Sequence, residues 1–384
     1  MNGTALRTLV RLVVALAVLA GGGSAAAMAT PSPSAQAPHA AAAGTRPSYL
    51  PPAKHVFVVN IENKDYAKTW GPKSEAPYLA KTLRHKGVLV NNYYGTAHNS
   101  LGNYLAQISG QAPDPEIQGD CQVFSDFQSS GTQPPGQYVG QGCVFPKEVP
   151  TLVGQMDAAG LRWRGYMQDM GKSCRHPDVN SQDDTQAAEK GDQYATRHDP
   201  FMYFHSIIDR SKYCKRHVVD LTKLHHNLEK VRTTRNLSYI TPDLCSDGHD
   251  APCVDGKPGG LVSINRWMRH WVPQILRSPA FKRNGVLIIT ADESDGPQSD
   301  SSACCNEQPG PNSPMPGIFG MGGGKVGALV ISRWTQRNSW STTPYNHYSL
   351  LASLEDLFGL EYLGFAAQDG LNRFGLDIFN AYTP

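Results

Sequence analysis

Residues 55–63 read HVFVVNIEN and residues 285–293 read GVLIITADE. Each is an apolar run rich in β-branched residues that stops abruptly on two polar residues, Glu62-Asn63 in the first and Asp292-Glu293 in the second. A run of that length and composition suits a strand buried on both faces. Further strand candidates are Val88 to Tyr93, Arg164 to Gln168, Leu237 to Thr241 and Gly327 to Ser332. Helical periodicity falls between them, at Ala76 to Lys86 before Gly87, and near residues 101–109, 151–159, 217–231, 261–277 and 346–358. Strands alternating with helices predict an α/β fold with a mainly parallel central sheet covered by helices on both faces.

In such sheets ligands bind beyond the carboxyl ends of the strands, so polar residues placed directly after apolar strands should converge on one rim. Three clusters qualify: Glu62-Asn63, the stretch Thr241 to Asp250 (TPDLCSDGHD), and Asp292-Glu293. Turn formation is the competing account of each, because Asn, Asp and Gly start turns for local hydrogen-bonding reasons. Three such clusters on one rim are harder to explain that way.

The residue types suit a hard divalent cation. Glu62, Asn63, Asp292 and Glu293 offer three carboxylates and an amide oxygen, and Ca, Mg, Mn or Zn all remain open. Adjacent residues on an extended strand point oppositely, so both members of a pair reach one ion only where the strand has turned into a loop. Asp247 and His249 lie two apart, a spacing that lets one carboxylate and one imidazole face the same way.

The stretch Gly95 to Gly110 (GTAHNSLGNYLAQISG) reads as a loop entering a helix with Ser100 at the mouth. Serine there is a preferred helix cap. The alternative is a nucleophile activated by a metal, with the free N–H groups of the helix start facing an anion. A triad serine of the GxSxG type is disfavoured, because His98-Asn99-Ser100-Leu101-Gly102 lacks the first glycine.

The ends and composition bound the setting. Arg7 and Arg11 sit in a basic start, the run from Leu9 to Leu19 is almost wholly apolar, and Ala27-Met28-Ala29 offers a cleavage site, so residues 1–29 read as a signal peptide; an uncleaved anchor is the alternative. Residues 30–51 form a Pro- and Ala-rich disordered leader, with folding expected from near His55, and residues 52–384 read as one domain without a linker. The expectation is a secreted protein with no stable membrane span after processing. A net charge of +2 and the lack of a Lys/Arg cluster interleaved with aromatics argue against a nucleic-acid partner. Eight cysteines in an exported chain suggest disulfides, and sequential pairing gives Cys121–Cys143, Cys174–Cys214 and Cys245–Cys253. Cys304 and Cys305 then either bridge each other or take other partners, and the absence of a CxxC pair disfavours a zinc cluster.

One ordered set of motifs carries a resemblance. Glu62-Asn63, His98-Asn99-Ser100-Leu101-Gly102-Asn103-Tyr104, His198-Asp199-Pro200-Phe201, Asp247-Gly248-His249-Asp250, Asp292-Glu293 and Asn346-His347-Tyr348-Ser349-Leu350-Leu351 together resemble the bacterial phosphoesterase family, which includes secreted acid phosphatases and non-haemolytic phospholipases C. The resemblance spans about residues 55–364. It implies a three-layer sandwich similar to alkaline phosphatase, a metal held by Glu62, Asn63, Asp292 and Glu293, and Ser100 as a nucleophile that also touches the metal. Asp247 joins the metal candidates. Asn103 is implied to position the nucleophile loop or the phosphate. His98, His198, His249 and His347 become candidates for phosphate contact, leaving-group protonation (His249 or His347 first) or a further metal.

Two departures bear on the branch. Asp292-Glu293 leads into Ser294-Asp295-Gly296 and a Ser-, Cys- and Pro-rich insertion ending near Pro316, where the phospholipase branch runs Gly-rich, and Gly102 stands where Pro is common. The expected activity is therefore an acid-phosphatase-like phosphomonoesterase using a phosphoserine intermediate, acting on a small or lipid-borne phosphate ester. The alternatives are phospholipase C-type diester cleavage and a non-catalytic exported binding protein, and the full set of nucleophile and acidic residues speaks against the last.

Overall fold

The computed structural model describes residues 46–384. The signal-peptide reading of 1–29 and most of the leader lie outside these residues. Leu50 and Ala53 belong to the buried core, so the packed chain begins before His55.

The centre is an eight-stranded sheet of His55–Ile61 (β1), Val88–Val90 (β2), Trp163–Met167 (β3), Val218–Asp220 (β4), Leu237–Thr241 (β5), Gly285–Ala291 (β6), Ala328–Ser332 (β7) and Ser339–Ser341 (β8). Their spatial order is β8-β2-β7-β6-β1-β5-β3-β4. All pairings are parallel except those that β7 makes with β2 and β6. Every residue of β1, β5, β6 and β7 is buried, in keeping with their mostly apolar sequences. The crossover from β3 to β4 moves toward one edge and that from β5 to β6 toward the other. Right-handed connections in opposite directions put helices on opposite faces, giving the sandwich.

Gly260–Arg277 shows how the covering helices are held: Leu261, Ile264, Trp267, Met268, Val272 and Ile275 are buried, one stripe at helical spacing. Ser100–Ser109 and His347–Phe358 differ, being buried nearly all round and packed against each other. An interior helix gives its first residue a fixed position, which matters for Ser100.

Several elements depart from the sequence expectation. Residues 217–231 contain β4 and the short helix Lys223–Leu228, because the β-branched pair Val218-Val219 joins the sheet. Ala76 to Lys86 is a π-helical turn at Tyr78–Leu83 followed by a 3-10 turn at Arg84–Lys86. Tyr93–Tyr94 leaves the sheet to pair with Tyr345–Asn346. The hairpin Gln128–Gln133/Gln137–Gln141 had no apolar alternation to reveal it, since its first strand is wholly exposed. The disulfides are the sequential ones, Cys121–Cys143, Cys174–Cys214 and Cys245–Cys253, with Cys304–Cys305 as a vicinal bridge.

Candidate active site

The site forms where β1, β5 and β6 end. Ile61 lies opposite Ala291 in the parallel register, so Glu62 and Asp292 emerge side by side. The Asp292 amide still donates to the Ile61 carbonyl at 3.1 Å, while the Glu62 amide donates to the Asp247 carbonyl at 2.9 Å. Three loops are thereby tied together by their backbones. Asn63 turns to φ 43°, the left-handed region that Asn tolerates, which is the turn both members of the pair needed. Its amide then donates to Asp292 Oδ1 at 3.0 Å and its side chain to Glu293 Oε1 at 2.6 Å.

Ser100 is the first residue of its helix and Asn99 occupies the cap position, so capping does not explain the serine. Its hydroxyl donates to Glu62 Oε2 at 2.9 Å, and Tyr104, one turn on, donates to the other Glu62 oxygen. Asn103 holds the approach to the helix: its Oδ1 accepts from the amides of Thr96 and Ala97 at 2.8 and 3.0 Å, and its Nδ2 donates to the Ala97 carbonyl at 2.9 Å. These bonds tie its side chain to the loop that leads into the helix. The helix start is less open to an anion than the sequence suggested, because Asp120 accepts the Leu101 amide at 2.9 Å.

The four histidines separate by their partners. His198 lies between carboxylates, Nδ1 at 3.2 Å from Asp247 and Nε2 at 3.4 Å from Glu62, and stacks on Tyr104. Burial, and then the charges of Arg197 and His249, hold it neutral well below the usual imidazole range, so it suits a ligand rather than an acid. His347 is enclosed: its Nδ1 faces the Tyr93 hydroxyl and Gln107 at 3.0 and 3.2 Å, and its Nε2 faces the Asp292 carbonyl at 2.5 Å. Burial lowers its pKa to about 4. With both nitrogens committed, it braces the loop that presents Asp292. His98 is enclosed likewise, with Nδ1 against Glu293 and Nε2 on the Asp300 carbonyl at 3.0 Å. His249 alone of the four is exposed; its Nδ1 pairs with Asp250 at 2.8 Å and its Nε2 meets Arg197 at 3.3 Å.

Arg197 was not anticipated, since a buried cation leaves no periodic trace in a sequence. It is 3 % exposed, donates to the Gln186 carbonyl at 2.9 Å, and lies 3.7 Å from Asp120. Lys64 was also missed; its ammonium rests on the Asn63 carbonyl at 2.9 Å and faces Asp247, Asp292 and Glu62. Tyr104 carried a readable signal, because four residues from Ser100 on a helix is the same face.

Glu62, Asp247 and Asp292 are fully buried in one cluster. Burial raises Glu62 well above the carboxylate range, and the charges of Asp292 and Asp247 raise it further; burial raises Asp247 in the same way. Asp292 Oδ2 and Asn63 Oδ1 are buried with no hydrogen-bond partner. The ligand atoms of Glu62, His198 and Asp247 lie within 4.8 Å of one another. Oxygen-rich donors, orphaned lone pairs and mutual repulsion that a cation would relieve all fit a divalent metal. Of the residues expected to form the site, Glu62, Asn63, Ser100, His198, Asp247, Asp292 and Glu293 meet around this cluster, with His249 at its open side.

Comparison with known proteins completes the description. The model of the Phosphoesterase family matches residues 73–361. A probable acid phosphatase of Kluyveromyces lactis is 23% identical over 312 residues, covering 81% of this chain and 59% of that protein. The phosphatidylinositol-3-phosphatase of Mycobacterium tuberculosis is 24% identical over 326 residues, covering 84% and 83%. Among solved structures, a protein in the alkaline phosphatase superfamily from Vibrio parahaemolyticus aligns with a TM-score of 0.49 at 12% identity, covering 84% of this chain and 71% of that chain. The chain spans less than two thirds of the length of the fungal acid phosphatases it matches.

Proposed function

The chain belongs to the Phosphoesterase family, and we propose that it is an exported, metal-dependent phosphatase that hydrolyses phosphate monoesters through a phosphoserine at Ser100. The observation that carries the reading is the Ser100 hydroxyl held on Glu62 at the mouth of an interior helix, against a buried acidic cluster.

Glu62, Asn63, Asp247, Asp292 and His198 would hold the ion, with Ser100 and Glu293 at its edge. Bound there, a divalent ion lowers the pKa of a neighbouring hydroxyl and polarises phosphoryl oxygens. The protein does the rest. Glu62 orients the serine oxygen, Tyr104 and Asn103 fix Glu62 and the loop, and Arg197 provides a fixed positive charge for phosphoryl oxygens. Ser100 Oγ attacks phosphorus, passing its proton to Glu62, which already accepts it, as the bond to the leaving alcohol breaks and the alcohol takes a proton from His249. Engagement of Arg197 with phosphate frees the His249 nitrogen that faces it. Water then attacks the phosphoserine and returns a proton to His249, while the serine oxygen recovers its proton from Glu62, releasing inorganic phosphate and restoring the hydroxyl.

The acid phosphatase and phosphatidylinositol-3-phosphatase names among the relatives support a monoesterase in preference to a diesterase. Four disulfides support export, and no helix among the described residues is long and apolar enough to cross a membrane. The test is a panel of phosphomonoesters, phosphodiesters and phospholipids, assayed after chelation and again after adding back single divalent ions. Release of inorganic phosphate from monoesters, lost on chelation and restored by an ion, is expected. Activity indifferent to exhaustive chelation, or release of a phosphorylated headgroup, would overturn the reading.

A further inference from the structure

The insertion after the acidic pair takes no part in the chemistry above. The loop in which it ends, Ser313 to Gly324, reads SPMPGIFGMGGG and contains no charged residue. The base of this loop is firmly held. His98, two residues before Ser100, donates its amide to the Pro316 carbonyl at 3.0 Å. Gln118 donates to the carbonyls of Met315 and Pro316 at 2.8 and 3.0 Å, and Ser301 donates to that of Gly317 at 2.9 Å. The Gly317 amide donates to the Gly320 carbonyl at 3.0 Å, closing the tip.

On that fixed base the apolar side chains face outward. Met315 is 50% exposed and Phe319 is 65% exposed, the highest value for a large hydrophobic side chain among the described residues. Between them Ile318 has φ 66°, a conformation that a β-branched residue adopts only at an energetic cost. A polar tip would have met water without exposing apolar surface.

A specific protein interface needs on the order of 800 Å² from each partner, and two half-exposed side chains supply well under half of that. A lipid interface asks for less: a few uncharged apolar side chains entering the headgroup boundary suffice for reversible adsorption. The tip has no Lys or Arg, so it does not require anionic lipid. Its backbone joins the loop that carries the nucleophile, so a surface that takes the tip lies next to the site.

We propose that the loop 313–324 is an interfacial anchor that seats the protein on a lipid bilayer, making phosphate esters displayed on lipid the preferred substrate class. The preference for lipid substrates rests on the phosphatase reading of the Ser100 site, whereas the adsorption does not.

The test uses the full mature chain and a double variant, Met315→Ser with Phe319→Ser. Both are sedimented with phosphatidylcholine vesicles, and both are assayed on a water-soluble aryl phosphate and on a phosphatidylinositol phosphate carried in the same vesicles. Because both side chains are exposed, melting temperature should not change. The double variant is expected to lose vesicle binding by roughly tenfold or more, a change of about 1.4 kcal/mol or greater. Its turnover of lipid substrate should fall in parallel, with aryl phosphate turnover held within about twofold. A wild-type chain that ignores vesicles, or a double variant that binds them equally, overturns the anchor. Phe319-dependent self-association without vesicle binding also overturns it and assigns the loop to a protein contact. Vesicle binding without hydrolysis of either ester would keep the anchor and refute the phosphatase reading.

Discussion

Asp199 offers a test whose size follows from its surroundings. It is fully buried, accepts the Tyr194 hydroxyl at 3.1 Å and the Phe201 amide at 3.3 Å, and has no ion-pair partner among the described residues. Burial raises its pKa from 3.8 to about 8, against the smaller opposing effect of those two hydrogen bonds. A carboxyl with a raised folded pKa binds more protons folded than unfolded across that window. Its stability contribution is therefore intact below about pH 3.8 and is lost as pH rises toward 8. The full window corresponds to roughly 5 to 6 kcal/mol at about 1.4 kcal/mol per unit, an upper bound because water penetration and relaxation soften burial. Asp199→Asn removes the titration and keeps the shape, with the amide oxygen still able to accept from Phe201. Thermal melts from pH 4 to 8.5 should show the two proteins nearly level at pH 4 and the variant more stable at pH 8, by about 2 to 5 kcal/mol or several degrees. Parallel pH slopes for the two proteins would refute the argument, as would a variant that is less stable at pH 8.

Arg197→Ala should weaken inhibition by inorganic phosphate and raise KM by about 10- to 100-fold, the worth of a charge-assisted hydrogen bond; Arg197→Lys should recover only part, because the planar fork is lost. His249→Gln should slow esters with poor leaving groups far more than activated aryl phosphates, whereas His347→Gln should lower kcat for both alike, since its two nitrogens are already engaged. Replacing both Cys174 and Cys214 by Ser opens a link spanning 40 residues. Chemical denaturation should show a loss of ~4 kcal/mol on the chain-entropy model, compared with ~2.5 kcal/mol for Cys245 and Cys253 across 8 residues.

What could be read in the sequence was what burial writes into it. The apolar strands β1, β5 and β6 end where their composition changes, and the residues just beyond them are the acidic cluster. The helix before Gly110 was legible for the same reason, although its capping residue proved to be Asn99, leaving Ser100 free to face Glu62. Roles that depend on long-range contacts were not legible. His98 and His347 look alike as site residues by position, but their partners are visible only in the fold: Glu293 and the Asp300 carbonyl for His98, Tyr93, Gln107 and the Asp292 carbonyl for His347. Arg197 and Asp120 are far apart in sequence, and only the packing of the Thr196–His198 turn against the Ser100 helix brings them together. The hairpin at 128–141 was invisible because exposed polar strands lack the alternation by which strands are read.

The chemistry turns on Ser100. The most direct measurement is to quench turnover with acid, digest the protein and locate any covalent phosphate by mass spectrometry. The account predicts one phosphorylated peptide, carrying the group on Ser100, and none from Ser100→Ala, whose phosphate release should fall by about four orders of magnitude or more with its melting temperature intact. Phosphate found on another residue, or near wild-type turnover by Ser100→Ala, would contradict it.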